Sequence, residues 1–570
     1  MSGTQLTEPA APGEAGSPAR PAAGRPAWLT PVTMVIAAVT LLGLGLRLYY
    51  LTRPGYLLGV TEYDDGSYFG SALRLVHGQL PYRDFVFVQP PGITLLMTPV
   101  AAATRVIGTD DGLAVARILT MLAGAAGVAL AGLLVRHRGV LAALLACGVV
   151  AVYPDSVASA HTLLVEPWLV LFCLAGAVAV FDGDRITGSR RRLLWGGVAF
   201  GFGGAIEAWA IIPVVVVTVL CLPRPRQAVT YLGGVAAGFL IPVLPFAALA
   251  PRGFYQDVIT AQVGGRVDAT RMPLAYRLRH IAGFADQPDV RQAVVLGVIA
   301  LIVAFVLGTC AVALLITRRL PPALEWFAYG CAVAVVAVFL WPAQFHYHFA
   351  GFLAPFLGLG VALPASRLVT AITGRIGAAG QSRAGQSRAG QSRAGQSRGG
   401  RPAGGWPRAG RLLRWSAAGL AAAGIAVGGW NQASFESTLE PDAPVAMMAA
   451  GQRIIPPGAC VLADNVAYTI TTNRFLSDVP GCPAIDDGTG ANYALTGGRS
   501  ALTGAGRVPA VAALWRSAFE HAQYVWLTGL NHRRIAWNPA LTAYFTANFV
   551  RVAGHTRDLR LYVRKDLHPR

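Results

Sequence analysis

EYDDGSYFGSALRLVHGQLPYRDFVFVQPPGITLLMTPVAAATRVIG, residues 62–108, joins two adjacent acids, Asp64 and Asp65, to an apolar run nearly long enough to cross a bilayer. How the run 91–107 is read fixes the orientation of everything after it. A spanning helix needs about 20 apolar residues, so length alone does not decide, and charge must. Cytoplasmic loops carry the excess of Lys and Arg. With 91–107 lying on the outer surface as an interfacial or re-entrant helix, Arg136/Arg138, Arg185/Arg190/Arg191/Arg192, Arg224/Arg226 and Arg318/Arg319 all fall inside. The alternating loops near 154–162 and 341–348 hold neither Lys nor Arg. The sequence therefore predicts a cytoplasmic N-terminus, with Asp64, Asp65 and residues 431–570 on the outer face.

Composition agrees with a multi-pass protein. The 570 residues are 54% hydrophobic and only 13% charged, with mean hydropathy +0.50, outside the range of ordinary globular chains. The net charge of +19 comes in short clusters between apolar runs, which fits orientation in a plasma membrane and not a nucleic-acid partner. Lys565 is the sole lysine, so any cation that grips a phosphate is Arg or His. We expect an all-α polytopic protein with about 11 spans, near 29–51, 113–135, 139–154, 163–182, 193–208, 209–222, 227–250, 293–316, 323–341, 349–366 and 411–430. The pair 193–208 and 209–222 is short, each about 23 Å at 1.5 Å per residue, which suits a tilted pair facing a cavity.

Domain boundaries follow composition. Residues 1–27 are Pro-, Ala- and Gly-rich and lack an apolar run, so a disordered cytoplasmic tail is expected and not a cleaved signal. A transmembrane module, 28–366, carries large outer loops at 52–112 and 251–292. Residues 367–410 contain the tandem GQSRAGQSRAGQSRAGQSRGG, expected as a flexible basic cytoplasmic linker in reach of anionic lipid. After the last span, PPGACVLADN and AQYVWLTG read as short buried strands and 507–523 has helical spacing. That predicts a small extracytoplasmic α/β domain over 431–570. Cys460 and Cys482 lie in it and are open to a disulfide, whereas Cys147, Cys173, Cys221, Cys310 and Cys331 sit in apolar runs as small buried hydrophobes.

Asp64 and Asp65 would serve as an ordinary helix start before GSYFGSALRLV, where acids suit the helix dipole. Their company suggests more. Tyr68, His77, Tyr82, Arg83, Asp84 and Gln89 crowd into the same loop between apolar segments, and polar groups beside a bilayer are costly unless they pair or act. The spacing of an acidic pair, two residues, then Tyr68, followed by Pro90-Pro91-Gly92 and an interfacial helix, resembles the first outer loop of the GT-C membrane glycosyltransferases. HGQLPYRDF also looks like the loop of many actinobacterial members. The resemblance covers roughly 29–366, with specific motifs only in 62–92, and extends to protein O-mannosyl-, aminoarabinose, arabinosyl- and mannosyltransferases.

What the resemblance implies is transfer of a sugar from a polyprenyl-phosphate donor to an acceptor hydroxyl of a glycan, lipid or protein, outside the membrane. Asp64 takes the place of the family's leading acid, a general base for the attacking hydroxyl, with Asp65 beside it. Glu166, in HTLLVEPWLVLFCLAG, looks like the family's Glu-Pro, though it also reads as a carboxylate capping the helix opened by Pro167. Because a lipid phosphate leaves with growing negative charge, fixed donors are needed. Candidates are Tyr68 and Arg83, then Arg271, Arg277, Arg279 and His280 in the second outer loop, and His346 and His348 in WPAQFHYHF, each Arg being equally at home in a headgroup contact. Asp155 and His161 are expected to face the same cavity. Glu207 departs from the pattern, since a basic residue is common at its place. A carboxylate repels phosphate, so Glu207 is neutral, paired with an outer Arg, or the donor is held differently.

No cofactor is firmly implied. His346 and His348, two apart, leave a divalent metal open without a second ligand pair of zinc-like spacing. In YTITTNRFLSDVPGCPAIDDGTGANY and NHRRIAW, aromatic faces and amides suit carbohydrate, as ordinary loops also do. Two other functions stay open from sequence: a transporter or flippase, although no half-to-half repeat is evident, and a degenerate transferase acting as an envelope scaffold.

Overall fold

The computed structural model describes residues 30–264, 271–285, 287, 289–341, 344–391, 406–439, 445–497, 504–528, 534–554 and 560–567. The expected tail, 1–27, lies outside the described residues. Thr30 starts the first helix by accepting a hydrogen bond from the Thr33 amide, with Pro31 at its first position. That helix, α1, is Pro31–Leu51; α2 is Asp64–Val76, α3 Gly92–Ile107, α4 Thr109–Val135, α5 Val140–Val152, α6 Pro154–Ala158 and α7 Glu166–Val180. A two-residue-per-strand hairpin, β1 Phe181–Asp182 and β2 Arg185–Ile186, leads to α8 Arg190–Ile206, α9 Ile211–Cys221 and α10 Pro225–Leu249. Short α11 Pro251–Phe254, α12 Ala261–Gly264 and α13 Leu274–Ile281 follow α10. Then come α14 Gln292–Thr317, α15 Ala323–Leu340, α16 Phe349–Gln391 and α17 Trp406–Glu436. Among the described residues, seven helices are long and apolar enough to cross a membrane, and α3, α5, α7 and 208–221 are shorter apolar helices.

Both ends of α3 lie at the same end of the bundle. Its first residue, Gly92, rests on the carbonyl of Ala205 at the end of α8; a Cβ on Gly92 would come to 2.5 Å of that oxygen. Its far end turns at Gly108 into Thr109, whose amide bonds the Asn473 side chain at 2.5 Å. α3 thus lies across the bundle instead of threading it. From Thr109, α4 runs to the opposite end, where Arg138 meets Asp184 and Glu325 at 2.8 and 3.1 Å. The short pair at 193–222 is broken at Glu207, whose extended backbone separates α8 from the next helical turn. Such a break is tolerated at this depth where it lines a cavity.

The helix expected to end near 366 continues to Gln391, so the first part of the tandem is helical instead of flexible linker. Ala, Gln and Arg are good helix formers, and α16 gives them a nucleus to extend, which the tandem by itself lacks. The rest of the tandem, 392–405, lies outside the described residues.

The C-terminal region is a four-stranded sheet with helices. Its strands are β3 Val461–Ala463, β4 Tyr524–Leu527, β5 Phe549–Ala553 and β6 Arg560–Arg564, in the order β3-β4-β6-β5. β3 and β4 are parallel and the other pairs antiparallel. Helices α18 Val445–Ile454, α19 Ala467–Ile470, α20 Gly488–Leu495, α21 Pro509–His521 and α22 Pro539–Asn548 accompany it. The fully buried Trp515 and Phe519 of α21 fill the core between helix and sheet. Cys460 and Cys482 form a disulfide. A shared core joins this region to α2 and α3: Phe69 of α2 and Ile93 of α3 pack with Val466, Ile470 and Phe475.

Candidate active site

The junction of the membrane module with the C-terminal region holds a cavity of about 380 Å³. It gathers Glu62 from just before α2, Asp64 and Tyr68 from α2, Glu166 from the start of α7, Glu207 from the α8 break, and His346 and His348 from the turn before α16. Each lies at the cavity end of its element, which is why residues nearly 300 positions apart converge. The C-terminal region supplies Asp487, Tyr493 and Arg534.

Asp64 and Asp65 part company at the first turn of α2. The Asp65 side chain is fully buried, 2.6 Å from Arg117 Nη2, and accepts a second bond of 2.6 Å from Thr162 Oγ1. Arg117 also donates to the carbonyls of Tyr56, Leu57 and Gly59. Asp65 is therefore a structural anchor, and the expectation that it joins the chemistry gives way to a buried ion pair. The Asp64 side chain is 34% exposed, toward the cavity, with His348 Nε2 3.7 Å away. On its other side, His348 Nδ1 lies 2.7 Å from Glu166 Oε1. Glu166 Oε2 is buried and bonds no protein group.

This acid–imidazole–acid row sets the electrostatics. Burial of Asp64 raises its carboxyl to about 7, against the pull of His348 and with Glu62, Asp487 and Glu166 adding to the rise. For His348, burial alone would lower the imidazole, but Glu166 and then Asp64 outweigh it and lift it to about 9. Near neutral pH the imidazole is thus a cation and Asp64 is poised between its two forms. Burial likewise raises Glu62, whose Oε1 accepts 2.6 Å from the Tyr347 hydroxyl.

The floor and lid of the cavity are cross-braced. The Tyr63 hydroxyl donates to Asp487 Oδ1 at 2.8 Å, and the Arg534 guanidinium lies 4.4 Å over the Tyr63 ring. Asp487 caps α20 by accepting from the Gly490 amide at 2.7 Å. Gln344 reaches the Tyr493 hydroxyl. Glu207 is buried at the cavity wall and bonds the Ala208 amide at 3.1 Å.

Other residues singled out from sequence sit elsewhere. Arg83 is half exposed and pairs with its neighbour Asp84 at 2.8 Å, beside a separate groove. Arg271 donates to the Leu340 carbonyl at 3.1 Å, and buried Arg277 to those of Met272 and Phe339. Their guanidiniums stitch α13 and the residues just before it to the end of α15 instead of facing the cavity. His280 bonds Asp155 at 2.9 Å in a buried pair of its own. His161 bonds the Ala158 carbonyl and packs against Tyr50 and Tyr56. Arg279 is likewise not among the cavity residues. Arg534 and Asp487 carry no individual signal in the sequence beyond lying in NHRRIAW and AIDDGTGANY, stretches suited to carbohydrate. Among the described residues, no group of three or more His, Cys, Asp or Glu is arranged to hold a metal ion.

No protein-family profile matches the chain, and no curated protein does. Solved structures do. ArnT from Cupriavidus metallidurans in the apo state matches over 94% of this chain and 98% of its own, at 14% identity and TM-score 0.57. The same protein bound to undecaprenyl phosphate matches over 95% and 99%, at 15% identity and TM-score 0.54. The Archaeoglobus fulgidus oligosaccharyltransferase tethered to an acceptor peptide covers 88% of this chain and 70% of its own, at 13% identity and TM-score 0.49. The ArnT likeness is one of fold, and it runs through the membrane module into the C-terminal region.

Proposed function

We propose that this multi-pass membrane protein, which has the fold of the GT-C glycosyltransferases, moves a sugar from a polyprenyl-phosphate donor to an acceptor hydroxyl on the outer face of the plasma membrane. The observation that carries the reading is Asp64: it is an open carboxylate, backed by His348 and Glu166, in a cavity at the membrane end of the fold. The structural neighbour that holds undecaprenyl phosphate supports the donor class.

In this reading the acceptor oxygen attacks the anomeric carbon as its proton passes to Asp64 Oδ. The bond between that carbon and the phosphate oxygen breaks, and polyprenyl phosphate leaves with one more negative charge. General base help of this kind contributes about 10²–10⁴-fold. Arg534 and the cationic imidazole of His348 line the cavity, and they meet the phosphate as its charge grows. Glu166 keeps His348 charged. The acids Glu62 and Glu207 face the acceptor and sugar hydroxyls. Arg138 lies with Asp184 and Glu325 at the end opposite the cavity, and the positive-inside rule then supports the reading that the cavity faces outward.

Membranes carrying the protein, supplied with a panel of polyprenyl-phosphate pentoses and hexoses, test the reading. The expected result is release of free polyprenyl phosphate with at least one donor, matched by a glycosylated product. Movement of the intact donor across the bilayer without cleavage contradicts it and identifies a flippase.

A further inference from the structure

Asp464 and Thr528 stand one step back from the cavity wall, immediately after β3 and β4, and the proposed transfer uses neither. The two strands are parallel neighbours with Ala463 level with Trp526, so the residues that follow them leave the sheet at the same end. The Asp464 amide extends the ladder by donating to the Trp526 carbonyl at 3.1 Å. Its carboxylate is buried and closes on Thr528: Oδ1 and Oδ2 accept from the Thr528 amide at 2.9 and 3.0 Å, and Oδ2 accepts from the Thr528 hydroxyl at 2.9 Å. Burial raises Asp464 to about 6, against the pull of Arg534 and of the Thr528 donors, so it is ionised at neutral pH.

A hydroxyl carries one proton, and an ionised carboxylate only accepts. The Thr528 proton is therefore committed to Asp464, and the Thr528 oxygen keeps its lone pairs for another donor. Arg534 Nη1 is that donor, at 2.9 Å. Asp464 thus sets the polarity of the hydroxyl, and the hydroxyl holds one corner of the guanidinium. The flat face of the guanidinium lies 4.4 Å from the centre of the Tyr63 ring, and Tyr63 is fixed in turn by its bond to Asp487. The Arg534 carbonyl accepts from the Asn492 side-chain amide at 3.2 Å. A long side chain held at its backbone, its face and one nitrogen has little rotamer freedom left to lose when an anion arrives. Without the brace a second partner competes for it, because Asp487 lines the same cavity and feels the Arg534 charge.

We propose that Asp464 and Thr528 are positioning residues: through the Thr528 hydroxyl they hold the Arg534 guanidinium toward the phosphate of the polyprenyl carrier and away from Asp487. The role rests on the reading that Arg534 meets that phosphate.

The test measures binding of undecaprenyl phosphate to the full-length protein in detergent micelles, apart from any transfer. Thr528→Val keeps the shape of the side chain and removes the hydroxyl; it should weaken binding about 10-fold, the effect of one hydrogen bond to a charged group. Thr528→Ser keeps the hydroxyl and should recover most of that loss. In an Arg534→Gln background, Thr528→Val should weaken binding by less than about 2-fold more, because the group it positions is gone. Wild-type affinity in Thr528→Val, a Ser variant no better than the Val variant, or the same loss repeated in the Arg534→Gln background overturns the positioning role. Unchanged affinity in Arg534→Gln alone overturns the assignment of Arg534 to the phosphate, and the positioning role with it. Should Thr528→Val fail to fold, Thr528→Ala in the same two backgrounds decides the same point. Because the readout needs no sugar transfer, failure of the transferase reading shows separately, as bound carrier with no product.

Discussion

At the scale of the residue, two neighbouring aspartates are divided by what reaches them. Arg117 and Thr162 close on Asp65, while Asp64 is left facing the cavity with His348. Removing the Asp65 charge leaves the Arg117 guanidinium buried against carbonyls alone. Asp65→Ala should therefore destabilise the protein by about 3–5 kcal/mol, as breaking a buried ion pair does, seen as a lower unfolding temperature in detergent. The pH dependence belongs to Asp64. As a base it must be ionised, so kcat/KM should rise with pH through about 7, the raised value of its carboxyl. His348 favours the ionised form of Asp64, so His348→Gln should move that rising limb to higher pH; a limb that stays in place would detach the imidazole from the base. The acidic pair was visible in the sequence, but the division of labour was not. It depends on Arg117, 52 residues away inside a span, and no local pattern joins the two.

At the scale of the element, the site depends on how closely α2 meets the C-terminal region. Gly66, one turn into α2, lies against the backbone of Ala467: a Cβ there would come to 2.5 Å of the Ala467 nitrogen. Gly66→Ala should push α2 and α19 apart and speed proteolysis within 431–570, with loss of transfer, because Asp64 and Asp487 sit on the two sides of that contact. The disulfide between Cys460 and Cys482 spans 22 residues and should contribute about 3 kcal/mol to the C-terminal region. Cys460→Ser with Cys482→Ser, compared by thermal melting, measures it. Several elements were legible from sequence because their signals are local. α3 shows its short apolar run, and the two short helices around Glu207 show too few residues for two upright spans. Arg534 was not legible as a cavity residue, since its place over Tyr63 rests on a contact between the two ends of the chain. The reverse holds for Arg271 and Arg277. Sequence offers them as donors to the cavity, but carbonyls at the end of α15 hold their guanidiniums.

At the scale of the whole molecule, the fold has two chemically unlike ends. One joins acids, a cationic imidazole and Arg534 under a lid of sheet and helices, and the other gathers the arginine clusters. Hydropathy and charge periodicity carried this much of the architecture, because a bilayer enforces them along the whole chain. The proposed sidedness rests on the same rule and is checked by accessibility. A membrane-impermeant thiol reagent should label Asp111→Cys in intact cells and Gly188→Cys only after permeabilisation; the reverse pattern would invert the molecule.

The central claim concerns one carboxylate, and single-turnover transfer from a labelled polyprenyl-phosphate sugar by purified Asp64→Asn addresses it, with donor affinity measured in parallel. The account predicts donor binding within a few-fold of wild type and a transfer rate lower by about 10²–10⁴. Transfer at the wild-type rate by the correctly folded variant would contradict it.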